Sequence, residues 1–172
     1  RSFENRSDTF ITDEPFYAHY LQQTGIDHPM RNEVIEAGNS DWDEVSQYLT
    51  GAIPNGKSVW YQKHMAQHNL PGTDLGWIEK LTNCFLIRDP MEVILSYSKK
   101  YEITSIYQLG YPQQVLLFNH LKNKNEANVI VLDSKDILQN PKNLLQLLCK
   151  ELDIPFSDNM FCWPPGKRDS DG

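Results

Sequence analysis

The stretch Asn83-Cys84-Phe85-Leu86-Ile87-Arg88-Asp89-Pro90-Met91-Glu92-Val93-Ile94-Leu95-Ser96-Tyr97 decides the architecture. Asn83–Ile87 reads as a continuous apolar run, the pattern of a strand buried on both faces. Pro90 suits the first position of a helix, where its missing N–H costs nothing, and it opens a helix over Pro90–Lys100. A buried strand therefore hands over to a helix within two residues. Arg88 sits at the junction and Ser96 lies inside the helix.

The same alternation extends outward. Pro112–Lys124 carries Val115, Leu116, Phe118 and Leu121 as a helical stripe, and Asn128–Leu132 is a second buried strand. Pro141–Leu152 is an amphipathic helix. Upstream, Asp8–Thr12 and Ser58–Lys63 read as strands, and Arg1–Arg6 as the last turns of a helix. Pro15 opens a helix over Phe16–Gln23, with Gly25 as its stop. Ser40 or Asp41 caps Trp42–Leu49, and Thr73 or Asp74 caps a helix through Leu81. Strands that alternate with helices predict an α/β fold with a mainly parallel sheet. In such sheets ligands sit beyond the carboxyl ends of strands. Attention therefore falls on Thr12–Glu14, Lys63–His64, Arg88–Asp89 and Asp133–Ser134.

The 172 residues suit one domain with a real core, and apolar residues make up 40% of them. A formal charge of −7 argues against a nucleic-acid footprint, yet leaves room for a local cationic pocket. No window approaches the ~18 apolar residues of a membrane span. No signal-peptide pattern opens the chain, although Arg1 is not an initiator Met. Cys84, Cys149 and Cys162 form no CxxC pair, so a reduced, cytoplasmic setting is expected. His64 and His68 give an H-x-x-x-H spacing, but no third ligand stands at a useful spacing and no metal is expected.

Arg88 offers a planar fork suited to phosphate oxygens, and the helix start beside it adds a positive dipole end. Arg88 with the Ser96 hydroxyl could grip a phosphate monoester. The plainer alternative is a surface Arg paired with Asp89 or Glu92. His64 ends a strand, and imidazole has the pKa range of a general base. Glu14 follows the first strand, either as a site carboxylate or as a partner of the helix dipole. Lys167 and Arg168 lie in a basic, Gly-bounded stretch near the chain end.

Arg88-Asp89-Pro90 with Ser96 eight residues on closely resembles the 3′-phosphate-binding motif of sulfotransferases that use 3′-phosphoadenosine-5′-phosphosulfate (PAPS). The resemblance implies a three-layer P-loop-type fold, with a mainly parallel central sheet flanked by helices. It implies that Arg88 and Ser96 hold the nucleotide 3′-phosphate and that His64, 24 residues before Arg88, is the general base. Lys63 directly precedes that His, where the cytosolic enzymes carry a Lys two residues before it, and strand alternation sends Lys63 to the opposite face. Asp13, Glu14, Tyr17, His19 and Tyr20 are similar to a bacterial-type group of sulfotransferase-like proteins. The likeness casts Glu14 as catalytic or acceptor-binding and Tyr17 and His68 as acceptor-side residues. Asp133 to Phe156 resembles family scaffold. Lys167 and Arg168 resemble a late loop that lies over the nucleotide phosphates.

No stretch is similar to the family's N-terminal phosphosulfate-binding loop, and no G-x-x-x-x-G-K occurs. The expectation is one sulfotransferase-like domain over residues 1–172, incomplete at both ends. It would pass a sulfuryl group from PAPS to a hydroxyl, less readily an amine, of a small-molecule acceptor. Adenosine 3′,5′-bisphosphate would be the product, with no metal, nucleic acid or membrane involved and a homodimer as one assembly. Two alternatives stay open: a P-loop-type nucleotide or small-molecule kinase, and a non-catalytic nucleotide-binding or interaction domain.

Overall fold

A computed structural model describes residues 2–124, 129–163 and 165–166. Lys167 and Arg168 lie outside the described residues. The fold is α/β, and its strands pair in parallel. The chain divides into two compact units: one runs to Thr73 and takes up the chain again from Ser157, and the other spans Asp74–Phe156.

The first unit opens with a short 3-10 turn over Phe3–Asn5, in place of the expected end of a longer helix. Strand β1 (Thr9–Asp13) leads to α1 (Tyr17–Thr24), α2 (Arg31–Ala37), α3 (Trp42–Leu49) and β2 (Val59–Lys63). Strands β1 and β2 pair in parallel, with Thr9 opposite Val59 and Asp13 opposite Lys63. Helix α1 starts at Tyr17, so Pro15 stands ahead of its first turn and not inside it. The cause is Glu14, whose φ of 44° turns the chain sharply between strand and helix. Asp41 caps α3 by accepting from the Glu44 N–H at 2.9 Å. Trp42, Val45 and Leu49 then form its buried stripe. The Trp42 ring stacks on Phe16 with centroids 3.9 Å apart. Gly38 allows close approach: a Cβ there would meet the Ala18 Cβ at 2.8 Å.

Arg6 is a buried cation that the sequence reading passed over. Its guanidinium pairs with Asp8 at 2.8 Å, reaches the Thr9 hydroxyl at 3.2 Å and touches the Met160 sulfur at 3.7 Å. The arrangement ties the chain's return at Met160 to the foot of β1.

The second unit holds β3 (Asn83–Ile87), α4 (Pro90–Tyr97), α5 (Tyr111–Asn123), β4 (Val129–Asp133), α6 (Ser134–Gln139) and α7 (Pro141–Glu151). Strands β3 and β4 pair in parallel, with Asn83 opposite Val129. Phe85 meets Phe118 of α5 edge-on at 5.8 Å, and Gln114 donates to the Leu86 carbonyl at 3.0 Å. The helix expected through Leu81 is only a 3-10 turn, Ile78–Lys80. The Asp74 carboxylate accepts instead from the Gly76 N–H at 2.9 Å, a local turn that competes with helix. Two-sided burial of β3 is not what the unit provides. Leu86 is 57% and Val131 46% exposed, on opposite faces of the pair. Within this unit's described residues the packing covers only part of either face.

Replacing Arg6 by Met should lower the unfolding free energy by about 1.5–3 kcal/mol, because it removes the hydrogen bonds of a buried guanidinium to Asp8 and Thr9. The Arg6 hydrogen bond holds the Asp8 pKa below the usual carboxylate range. That contribution is present above the unfolded carboxylate pKa and is lost as pH falls below it. Urea unfolding of both chains at pH 7 and pH 3 checks both points: the difference should shrink in acid.

Candidate functional site

The parallel register places Asp13 opposite Lys63, so the next residues, Glu14 and His64, leave the sheet at the same carboxyl end. The Glu14 N–H donates to the Lys63 carbonyl at 2.9 Å, which extends the ladder by one bond. The Glu14 carbonyl then accepts from the Tyr17 N–H at 2.9 Å and starts α1. The Glu14 backbone is therefore fixed at two points, in a conformation that non-glycine residues seldom adopt. Strain of this kind collects at functional sites.

Its carboxylate binds the Lys63 ammonium, which also pairs with Asp13 at 3.0 Å. Burial works against the Lys63 charge. The hydrogen bonds and charges of Glu14 and Asp13 outweigh it and raise the pKa above the ordinary lysine value. Direct register with Asp13 puts the two side chains on one face of the pair, which brings the Lys63 ammonium to the carboxylates at this end of the sheet.

His64 keeps part of its surface in contact with solvent, but protein packs closely round the ring. Its centroid is 5.9 Å from that of Phe16. Burial pushes its pKa down to about 4, so the ring is neutral at pH 7. The Gln62 amide donates to the Leu49 carbonyl at 2.8 Å, which turns its oxygen toward His64 Nε2 at 3.3 Å. In that arrangement the neutral ring carries its proton on Nε2 and its lone pair on Nδ1. Glu14, cast from sequence as a catalytic or acceptor-binding carboxylate, has its carboxylate engaged by Lys63.

His68 follows in a short 3-10 turn and is only 4% exposed. Its ring stacks on Tyr17 at 5.1 Å and on Tyr20 at 4.8 Å. Burial pushes its pKa down to about 3, helped by the nearby His64 and Lys63. The Tyr17 hydroxyl meets His28 Nδ1 at 2.6 Å. His19, matched in the same stretch, instead bonds the Ser40 carbonyl at 2.9 Å and lies against Trp42, a packing role.

Glu14, Tyr17, Lys63, His64 and His68 thus form one cluster in the first unit. Arg88 and Ser96 belong to the second unit. There Arg88 follows β3 and is half exposed, and its Nε donates to Glu92 at 3.0 Å across one helical turn. Its carbonyl accepts from the Tyr111 hydroxyl at 3.3 Å. Asp89 caps α4, and Ser96 lies exposed on that helix. The sequence reading missed Gln62 and His28, and it matched Tyr20 without giving it a role. Tyr20 stands three residues after Tyr17 on one helix face, a signal that was available. The Gln62 and His28 contacts are long-range and carry no local signature.

Lowered pKa values make both imidazoles acid-sensitive. The unfolded chain binds their protons near pH ~6.5, and the fold resists them until about pH 4 and pH 3. Stability should therefore be full above pH ~6.5 and fall steadily as pH drops through that window. Thermal melting between pH 4 and 7.5 checks this, and replacing His68 by Phe should flatten the slope.

A family model described as a sulfotransferase domain matches residues 1–172. Two Arabidopsis thaliana proteins are similar over 99% of this chain. "Branched-chain-amino-acid aminotransferase-like protein 2" is 29% identical and "Branched-chain-amino-acid aminotransferase-like protein 1" is 30% identical. The chain spans 30% of the length of each. Among solved structures, "Sulfotransferase Domain from the Curacin Biosynthetic Pathway" aligns with a TM-score of 0.45 and 12% identity. The alignment covers 84% of this chain and 56% of that one.

Proposed function

Because the chain belongs to the sulfotransferase domain family, we propose that it transfers a sulfuryl group from PAPS to a hydroxyl of a small-molecule acceptor. The observation that carries this reading is the convergence of His64, Lys63 and Glu14 at the carboxyl end of the β1–β2 pair. Sulfuryl transfer resembles phosphoryl transfer: in-line, loose, and driven by positioning and charge stabilisation. His64 is the base. It is neutral at pH 7, so it can accept the acceptor's hydroxyl proton as the new oxygen–sulfur bond forms. The donor's bridging bond breaks, and its electron pair leaves on the 5′-phosphate oxygen of adenosine 3′,5′-bisphosphate. The lowered His64 pKa favours return of the proton to solvent, which resets the base.

Lys63 supplies a cation that stays charged, and Glu14 and Asp13 hold it at the strand ends. Tyr17 and His68 stand on the acceptor side. Arg88 and Ser96 take the 3′-phosphate, with Arg88 exchanging its Glu92 partner for phosphate oxygens. Lys167 and Arg168 complete the reading as further phosphate contacts, and the setting is cytoplasmic. The aminotransferase-like name belongs to relatives of which this chain spans 30%, and the family model accounts for that whole span.

Adenosine 3′,5′-bisphosphate without metal should raise the melting temperature, and Mg-ATP should not. Replacing Arg88 by Ala should weaken the nucleotide by about 1.5–3 kcal/mol, the range for a hydrogen bond to a charged group. Calorimetric titration checks the second point. Stabilisation by Mg-ATP alone would point to a kinase, and stabilisation by neither would point to a non-catalytic domain.

A further inference from the structure

His68 stands apart from the other imidazoles of the cluster. It is buried, and neither ring nitrogen has a hydrogen-bond partner among the described residues. Its nitrogens are not among the buried polar atoms that lack a partner, so with no protein hydrogen bond they stay open to solvent and to a bound polar group. The ring is also not free to turn. Tyr17 and Tyr20, three residues apart on α1, stack on it with interplanar angles of 8° and 30°. Tyr17 is itself tied by its hydroxyl to His28 in the α1–α2 connection. The neighbouring groups are the Lys63 cation, whose carboxylate partners Asp13 and Glu14 are both engaged, and the neutral His64. Protein groups thus fix the orientation of His68 and leave its nitrogens unused.

We propose that His68 is a specificity-determining residue, which binds a second polar group of the acceptor adjacent to the hydroxyl that His64 deprotonates. Tyr17, Tyr20 and His28 position it. An acceptor with one isolated hydroxyl satisfies His64 and leaves His68 unpaired. An acceptor with a neighbouring hydroxyl or carbonyl satisfies both. Two neutral imidazoles beside a lysine cation suit an uncharged pair of this kind and disfavour an ammonium group. The inference rests on the sulfuryl-transfer reading above.

Catechol and phenol are matched probes, differing only in the adjacent hydroxyl. Transfer of ³⁵S from labelled PAPS to each should be measured on the full chain, with the melting shift by adenosine 3′,5′-bisphosphate as a separate readout of donor binding. The kcat/KM for catechol should exceed that for phenol at least tenfold. In His68→Phe, which keeps a stacked ring, the ratio should fall to within threefold, with the larger loss on catechol. His68→Gln should restore part of it. Tyr17→Phe and His28→Phe should each lower the ratio to the same extent, and the double variant no further, since both remove one bond. A ratio near one in the unaltered chain, or a ratio that survives His68→Phe, overturns the inference. No transfer to either phenol by a chain that the bisphosphate still stabilises also overturns it, alone. Loss of that stabilisation as well overturns the donor reading, and the inference with it.

Discussion

The pairing of Asp13 with Lys63 at the ends of two parallel strands is the constraint from which the site follows. Parallel register brings two carboxyl ends side by side, and each strand then releases one chemical residue in the same direction. A one-residue slip would send Lys63 past Asp13 and move every side chain of β2 to the wrong face. The backbone bond from Glu14 to the Lys63 carbonyl and the ion pair between their side chains lock that register at two levels. The left-handed turn at Glu14 is the cost, and it also aims α1, with Tyr17 and Tyr20, back over the strand ends.

Burial then sets the chemistry. The same packing that desolvates His64 and His68 keeps both neutral, while paired carboxylates keep Lys63 charged. The site thus offers proton acceptors and a fixed cation side by side at neutral pH. A base whose pKa lies below the working pH takes a proton only as charge develops in the transition state, and it gives that proton up easily afterwards. Anionic donor groups near the ring would raise its basicity by favouring the imidazolium.

Much of this was legible in the residues. The run Asn83–Ile87 followed by Pro90 gave β3 and the start of α4 to the residue, and Asp41 before Trp42 marked the cap of α3. His64 and Glu14 were legible because strand ends are where parallel sheets keep their ligands. The rest depended on contacts distant in sequence. Arg6 looked like a polar terminus, but it is buried against Met160, more than 150 residues away. The ion pairs of Lys63 with Asp13 and Glu14 depended on the register of β1 against β2, which joins residues some fifty positions apart. The helix expected through Leu81 failed because Asp74 and Gly76 favour a turn. Apolar β3 suggested burial on both faces, whereas Leu86 and Val131 remain exposed.

The central claim is that His64 takes the acceptor's proton during sulfuryl transfer, and a single comparison tests it. The rate of ³⁵S transfer from PAPS should be measured for the unaltered chain and for His64→Ala at pH 7.5, with both saturated in donor. The account predicts a loss of about 10²–10⁴-fold in the variant, the span of general base catalysis, with affinity for adenosine 3′,5′-bisphosphate retained. A variant that transfers at the full rate would contradict it.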